Sequence, residues 1–377
     1  MDFNLSEEQQ LLRDSVERFV RADYAFDKRR QLCASEAGFS RQNWRKMAEL
    51  GWLGVALPEE YGGTGGGAVE TMVVMEAFGR GLVLEPYFAT VVLGGNFLLL
   101  GAGEAAKRAL LPKLVAGELL LAFAQAEPQS RYDLFDVGLK ASKVKGGFTL
   151  SGRKGVVLHG GQADKLVVSA RTRGKQRDEA GITLFLVDGK AAGLTRRDYP
   201  TVDGLRAAEL NFEEVKVEAA DVLGEVDDGL SLMERVVDRG IAALAAEAVG
   251  CMQVLHDQTN EYLKTRVQFG QPIGRFQVLQ HRMVEIFMEL EQSRSMCYLA
   301  TLKLAEDYGV ATKSCSAAKV QIGRSGRFIG QQAVQLHGGM GMTDELSVGH
   351  YFKRLTMIDV MFGNTDHHLK RYARLRS

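Results

Sequence analysis

Leu11, Leu12, Val16, Phe19 and Val20 recur at steps of one, three and four residues, and Ser6-Glu-Glu-Gln9 just before them has capping-box spacing. The pattern predicts an amphipathic helix, and similar periods continue to about Gly117. The most apolar stretch, Pro86 to Gly103, approaches membrane-spanning length, but Pro86, Gly94-Gly95, Asn96 and Gly101 within it predict a packed or broken helix instead. Gly62-Gly-Thr-Gly-Gly-Gly67 is followed by no Lys-Ser or Lys-Thr and does not directly follow a strand pattern, so it reads as a flexible inter-helix loop. Between Leu119 and about Leu223 the texture changes to short β-rich runs, Leu139–Val144, Phe148–Leu150, Lys165–Ser169, Ile182–Val187 and Ala208–Phe212, broken by glycine pairs. This predicts an antiparallel β domain. Beyond Asp227 helical periods return, with Leu230, Met233, Val237, Ile241, Leu244, Ala248 and Leu255 forming one stripe and Phe276 to Tyr308 a second long segment. The expectation is an α+β chain in three parts: residues 1–118 helical, 119–224 β, and 225–377 helical.

Composition narrows the function classes. Of 377 residues 46% are hydrophobic and 25% charged, an ordinary balance for a packed chain, and 47 Lys plus Arg match 47 Asp plus Glu. No overall field draws the chain to nucleic acid, so any anion must be held locally. Four dispersed cysteines without CxxC spacing, and a start that lacks the regions of a signal peptide, predict a reducing cytoplasm and no membrane insertion. His367-His368 and the other histidines lack zinc-ligand spacing, so no metal is expected. The basic run Lys370 to Arg376 reads as a frayed, solvated tail.

Two segments carry the candidate chemistry: Arg266-Val-Gln-Phe-Gly270 and Gln335-Leu-His-Gly-Gly-Met-Gly341, each at the end of a long helical pattern. An arginine fork suits phosphate oxygens, and a Gly-Gly pair admits close backbone approach to a bulky ligand. Taken singly, each reads more readily as structure, the arginine as a solvated helix end and the glycine pair as a turn. Their order, together with Glu127-Pro128 at the end of an apolar strand and Tyr61-Gly62-Gly63, resembles the acyl-CoA dehydrogenase family along essentially the whole chain. Within it, Ala124-Gln-Ala-Glu-Pro-Gln-Ser-Arg-Tyr-Asp133 and Gly349-His-Tyr-Phe-Lys-Arg354 look closest to small subunits of two-component members, such as that of pimeloyl-CoA dehydrogenase and its steroid side-chain relatives.

The resemblance implies an N-terminal helical domain, a middle antiparallel β domain and a C-terminal four-helix bundle. It also implies FAD bound where one subunit's sheet meets a neighbour's helices, and oxidation of a saturated acyl-CoA to the trans-2-enoyl-CoA. Electrons would then pass to an electron-transfer flavoprotein. Carried over by position, Arg266 would bind the FAD diphosphate, Gln268 and Phe269 would contact the adenosine end, and Gln335, Gly338 and Gly339 would line the same pocket. His337 between them reads as a packing residue. On the sheet side, the family's Trp-x-Thr is replaced by Val156-Val-Leu158, and Ala126 stands where a Thr usually precedes Glu-Pro. That half looks degraded, the alternative being a branch of the family that holds flavin differently.

Abstraction of the α proton needs a carboxylate, with hydrogen bonds to the thioester oxygen as charge develops there. At the family's C-terminal location for this Glu the chain has Met361-Phe362-Gly363-Asn364, and at the second location, counted back from Arg266, it has Gly240. Neither Phe362 nor Gly240 accepts a proton. Asp238, Glu247 and Asp359 remain, and Glu247 stands out within the small apolar run Leu244 to Gly250, two helical turns from position 240. It reads as a paired structural carboxylate or, alternatively, as a base. The main expectation is a subunit that completes a partner chain's FAD site. The rivals are a self-sufficient homo-oligomer using Glu247 and a non-redox acyl-CoA-binding scaffold.

Overall fold

The computed structural model describes residues 4–306 and 308–375. By packing, the chain divides into two compact units that are not contiguous in sequence. The first comprises Met1–Gln31, Ala68–Val83 and Ile241–Ser377, and the second Leu32–Gly67 and Leu84–Gly240.

The first unit is helical. The helices are α1 (Glu7–Asp23), α2 (Phe26–Cys33), α3 (Arg41–Glu49), α4 (Ala68–Gly81), α5 (Asn96–Gly101), α6 (Glu104–Val115), α7 (Gly229–Thr265), α8 (Gln277–Glu306), α9 (Tyr308–His337), α10 (Ser347–Val360) and α11 (Thr365–Arg374). Of these, α1, α4 and α8 to α11 belong to this unit, with most of α2 and α7. The predicted capping box opens α1: the Ser6 hydroxyl accepts from the Gln9 N–H while the Gln9 side chain accepts from the Ser6 N–H. Val16, Phe19 and Val20 are buried as the stripe requires, but Leu11 is exposed. Helix α9 packs on α8, α10 and α11.

The small residues of Leu244 to Gly250 have a packing reason. A Cβ added at Gly250 would lie 2.0 Å from the Glu76 carbonyl oxygen, and one at Gly79 would lie 2.1 Å from that of Glu247. Helices α4 and α7 thus touch backbone to backbone, which only glycine permits at the contact points. The C-terminus departs from the expected frayed tail. Asn364 caps α11 by accepting from the His367 N–H, and Lys313 sits over the Tyr372 ring, so the basic run is helical to Arg374. Arg376, the end of that run, lies outside the described residues.

The second unit is built on a sheet. Its strands are β1 (Leu121–Ala124), β2 (Lys140–Val144), β3 (Gly147–Leu158), β4 (Lys165–Arg171), β5 (Ile182–Asp188), β6 (Leu194–Pro200), β7 (Arg206–Glu218) and β8 (Val222–Leu223). Among the described residues they form one eight-stranded sheet in the order β6-β7-β3-β2-β4-β5-β8, with β1 added on β4. Pairing is antiparallel as expected, except that β1 runs parallel to β4 and β2 meets β4 in a single parallel pair. Leu150, Val157, Leu166, Val168, Phe185, Leu210 and Val215 fill the core.

Pro86 to Gly103 is the broken, buried helix that was expected: Phe88–Gly95 is a π-helical segment, buried throughout, which continues into α5. The Thr90 hydroxyl ties it to β1 by donating to the Leu121 carbonyl and accepting from the Leu121 N–H, both at 3.1 Å. Among the described residues no helix is long and apolar enough to cross a membrane. The Gly62–Gly67 segment is the expected loop between helical elements, and its first half is tied down by hydrogen bonds. Gly63 and Thr64 donate to the Pro58 and Gly54 carbonyls, and a Cβ at Gly63 would fall 2.0 Å from the Leu57 oxygen.

Candidate cofactor and acid-base site

In the first unit, α7 ends at Thr265 and the chain turns at once into a hairpin, β9 (Val267–Gln268) against β10 (Gln271–Pro272). The two linking residues, Phe269 and Gly270, have φ of 52° and 77°. Positive φ at both central positions is the geometry that matches strand twist in a two-residue hairpin, and glycine at the second eases it. The Arg266 backbone is pinned on both sides, its N–H donating to the Tyr262 carbonyl and its carbonyl accepting from the Ile273 N–H, each at 2.8 Å. The consequence is a rigid stalk whose side chains stand in solvent: Arg266 and Gln268 are exposed, and Phe269 is 90% exposed.

The second segment closes α9. Gln335, Gly338 and Gly339 are exposed, and a Cβ at either glycine would meet nothing within 4 Å, so this backbone is open for a ligand to lie against. His337 is buried, its Nδ1 2.8 Å from the Ala333 carbonyl, and its ring is stacked on Tyr262 at 4.4 Å. The structure therefore joins the two segments through Tyr262 and His337, immediately before the residues expected to hold the diphosphate. His337 packs, as expected. Tyr262 was missed because nothing in its own neighbourhood marks it; its partner is 75 residues away. Met340 and Met342 add exposed apolar surface to the same turn.

The sheet-side elements come together in the second unit. The Gly155 N–H donates to the Ala126 carbonyl at 2.9 Å, which sets the Gln125-Ala126-Glu127 loop beside Val156-Val157-Leu158. Pairing of β3 with β7 slips between Lys154 and Val157, and at this bulge Val156 takes a φ of 50° with 55% of its surface exposed. A β-branched residue in that region is a real outlier. Beneath it Glu127 is buried against Lys154, Nζ to Oε1 2.7 Å, and also accepts from the Gly138 and Leu139 N–H groups. Burial alone would raise the Glu127 pKa, but the Lys154 ammonium and these hydrogen bonds hold it below the usual carboxylate range. Lys154 donates further to Ser169 Oγ and the Gln125 carbonyl, so the network anchors the Ala126 loop and presents no free carboxylate.

The carboxylates near the base positions are all engaged. Both Glu247 oxygens accept from the Arg354 fork at 2.6 and 2.7 Å, with both side chains buried. Asp359 accepts from Arg327 and Thr365. Asp238 is fully buried. At Gly240 a Cβ would stand 2.9 Å from Leu93 Cδ2 and 3.5 Å from Phe88 Cζ, so the surroundings of this position are apolar.

The turn at Phe362, with φ of 55°, is held from below by two buried groups. Lys319 donates to the Asp359 and Gly363 carbonyls at 2.8 and 2.7 Å, and His368 Nε2 lies 3.0 Å from the Phe362 carbonyl. Burial pushes the Lys319 pKa down from 10.5 to about 7, with Asp359 opposing, and burial with the Lys319 charge pushes His368 down to about 2. Between these two lysine values the unfolded chain holds the proton more tightly than the native one, so native stability rises with pH through that window and is lost again as pH falls to about 7. Stability of wild type relative to Lys319→Met should thus increase by about 1.4 kcal/mol per pH unit between roughly pH 7.5 and 9.5 in denaturant titrations. A pH-independent difference would mean that Lys319 does not titrate there.

Comparison with known proteins now defines the class. Residues 6–118, 122–215 and 227–375 match the N-terminal, middle and C-terminal domains of acyl-CoA dehydrogenase. The chain belongs to the acyl-CoA dehydrogenase family. It is 31% identical to the mitochondrial isovaleryl-CoA dehydrogenase of Pongo abelii over 96% of this chain and 87% of that protein. Among solved structures it resembles a chain of the ChsE4-ChsE5 complex from Mycobacterium tuberculosis, with a TM-score of 0.90, 27% identity and 99% and 98% of the two chains covered. An FAD complex of PigA matches with a TM-score of 0.90 and 26% identity over 99% and 98% of the chains. The protein is an FAD-dependent oxidoreductase by family, with a helical N-terminal domain, a middle β domain and a helical C-terminal domain. Its exposed arginine hairpin and open Gly338–Gly339 backbone have the donors and clearance that a diphosphate cofactor needs.

Proposed function

We propose that this chain is one subunit of a hetero-oligomeric acyl-CoA dehydrogenase, completing the FAD site of a second dehydrogenase-like chain, with 1–118, 119–224 and 225–377 as its three working segments. Arg266 holds the FAD diphosphate, Gln268 and Phe269 contact the adenosine end, and Gln335, Gly338 and Gly339 line the pocket. The partner supplies the flavin-stacking sheet and the catalytic Glu, and the assembly converts a saturated acyl-CoA to the trans-2-enoyl-CoA. Bound flavin supplies the acceptor for the β hydride, and an electron-transfer flavoprotein takes the electrons onward. The setting is cytoplasmic, and the pathway is degradation of a fatty, dicarboxylic or steroid side-chain acyl group.

The observation that carries this reading is that neither base position has a carboxylate: Gly240 faces the apolar side chains of Leu93 and Phe88, and Phe362 stands at the other. Exposure of Phe269, Val267, Met340 and Met342 supports a neighbouring chain over the retained half-site. The complex named in one structural neighbour supports the same arrangement. In the rival homo-oligomer Glu247 would be the base, but Arg354 takes both of its oxygens.

The test is stoichiometry. The co-expressed assembly should release one FAD per heterodimer, because the bulge at Val156 lacks the flavin contacts. Two per heterodimer would refute a degraded sheet-side pocket, and none in any preparation would leave the scaffold reading.

A further inference from the structure

Both halves of the retained cofactor site are borne by segments far apart in sequence, and the stack of Tyr262 on His337 connects them. Resting on the half-site reading above, we propose that Tyr262 is a positioning residue for FAD: through His337 it sets the Arg266 hairpin relative to the Gly338–Gly339 turn. The rings lie 4.4 Å apart at 28°, a close stacked contact. Tyr262 is joined directly to one half, since its carbonyl accepts from the Arg266 N–H at 2.8 Å. His337 is joined directly to the other, because Gly338 follows it in the chain.

Each ring is also fixed on its own side. His337 Nδ1 is tied to the Ala333 carbonyl within α9, and the Tyr262 hydroxyl reaches the His337 carbonyl at 3.5 Å, over the last turn of that helix. Burial lowers the His337 pKa from its ordinary value, so the imidazole presents a neutral face at neutral pH. Leu263 and Leu336, the residues beside Tyr262 and His337 in the chain, are buried as well. What the stack adds is register between two exposed segments, and phosphate recognition by a planar fork and a backbone turn is sensitive to that register.

The experiment uses the flavin-containing enzyme as isolated, stripped of FAD and titrated by flavin fluorescence. Tyr262→Leu and His337→Ala should each weaken FAD binding about five- to tenfold, the range that loss of an aromatic pair supports. The double variant should be no weaker than either single one, while Tyr262→Phe and His337→Phe, which keep a stacking face, should stay within about twofold of wild type. Melting temperatures of the FAD-free forms should fall by no more than the few degrees that loss of an aromatic pair allows. Wild-type affinity in Tyr262→Leu, additive losses in the double variant, or Phe variants as weak as the Leu variant would overturn the proposal. So would a Tyr262→Leu chain that does not assemble, since the ring would then be a core residue. Arg266→Ala separates the two claims: normal FAD binding there defeats the half-site reading itself, while weak binding there with a silent Tyr262→Leu defeats only the positioning role.

Discussion

Arg266→Ala should remove FAD from the assembled enzyme. The guanidinium stands in solvent on a hairpin whose backbone is fixed at both ends, so replacing it changes the donors offered to the diphosphate and leaves the fold alone. Each charge-assisted hydrogen bond contributes about 1.5–3 kcal/mol, so loss of a bidentate contact should weaken FAD by roughly 100-fold or more. The purified variant complex should be colourless at micromolar protein, with its oligomeric state unchanged by size-exclusion chromatography. A variant that keeps full flavin content and activity would reduce Arg266 to a charge at a helix end.

Glu247→Gln separates chemistry from architecture. Loss of a general base costs roughly 100- to 10,000-fold in rate. The proposed partner-supplied mechanism predicts activity within a few-fold of wild type for the complex that remains folded. Stability should respond strongly, because the change leaves the buried Arg354 guanidinium facing a neutral amide in place of a carboxylate that engaged it at 2.6 and 2.7 Å. Breaking one partner of a buried pair costs about 3–5 kcal/mol, and a glutamine that still accepts one hydrogen bond sits at the lower end. A thermal melt with turnover measured well below the transition resolves the two effects. A thousandfold fall in rate with FAD content and melting temperature intact would make Glu247 the base.

The residues that were readable early share one property: their evidence is local. The α1 capping box, the long apolar stripe of α7 and the open glycines at 338 and 339 are all decided by side chains within a few positions of one another. The unusual character of Glu247 was equally visible, as a carboxylate in a run of alanines. Its partner was not, because Arg354 lies 107 residues further on and many arginines in the sequence would serve equally well. Lys154 was passed over for the same reason, since nothing nearby in sequence distinguishes a fully buried lysine from a solvated one on a strand.

Hydrophobic period and turn residues by themselves determined the α+β class and the succession of helices, strands and helices, and the order of the motifs pointed to the family and to the absence of a carboxylate at both expected base positions. These follow from interactions along the chain, whose spacing is fixed by covalent geometry. Tertiary structure decided the rest. It placed β1 parallel to β4, tied down the first half of the glycine-rich loop after Tyr61, put Val156 on a strained bulge, gave Glu247 to Arg354, set Leu93 and Phe88 beside Gly240, and stacked Tyr262 on His337. Each of these is a choice among distant partners of similar chemistry, and only the packing of the whole chain, where every buried polar group must find a match and every close approach must avoid a Cβ, selects one of them.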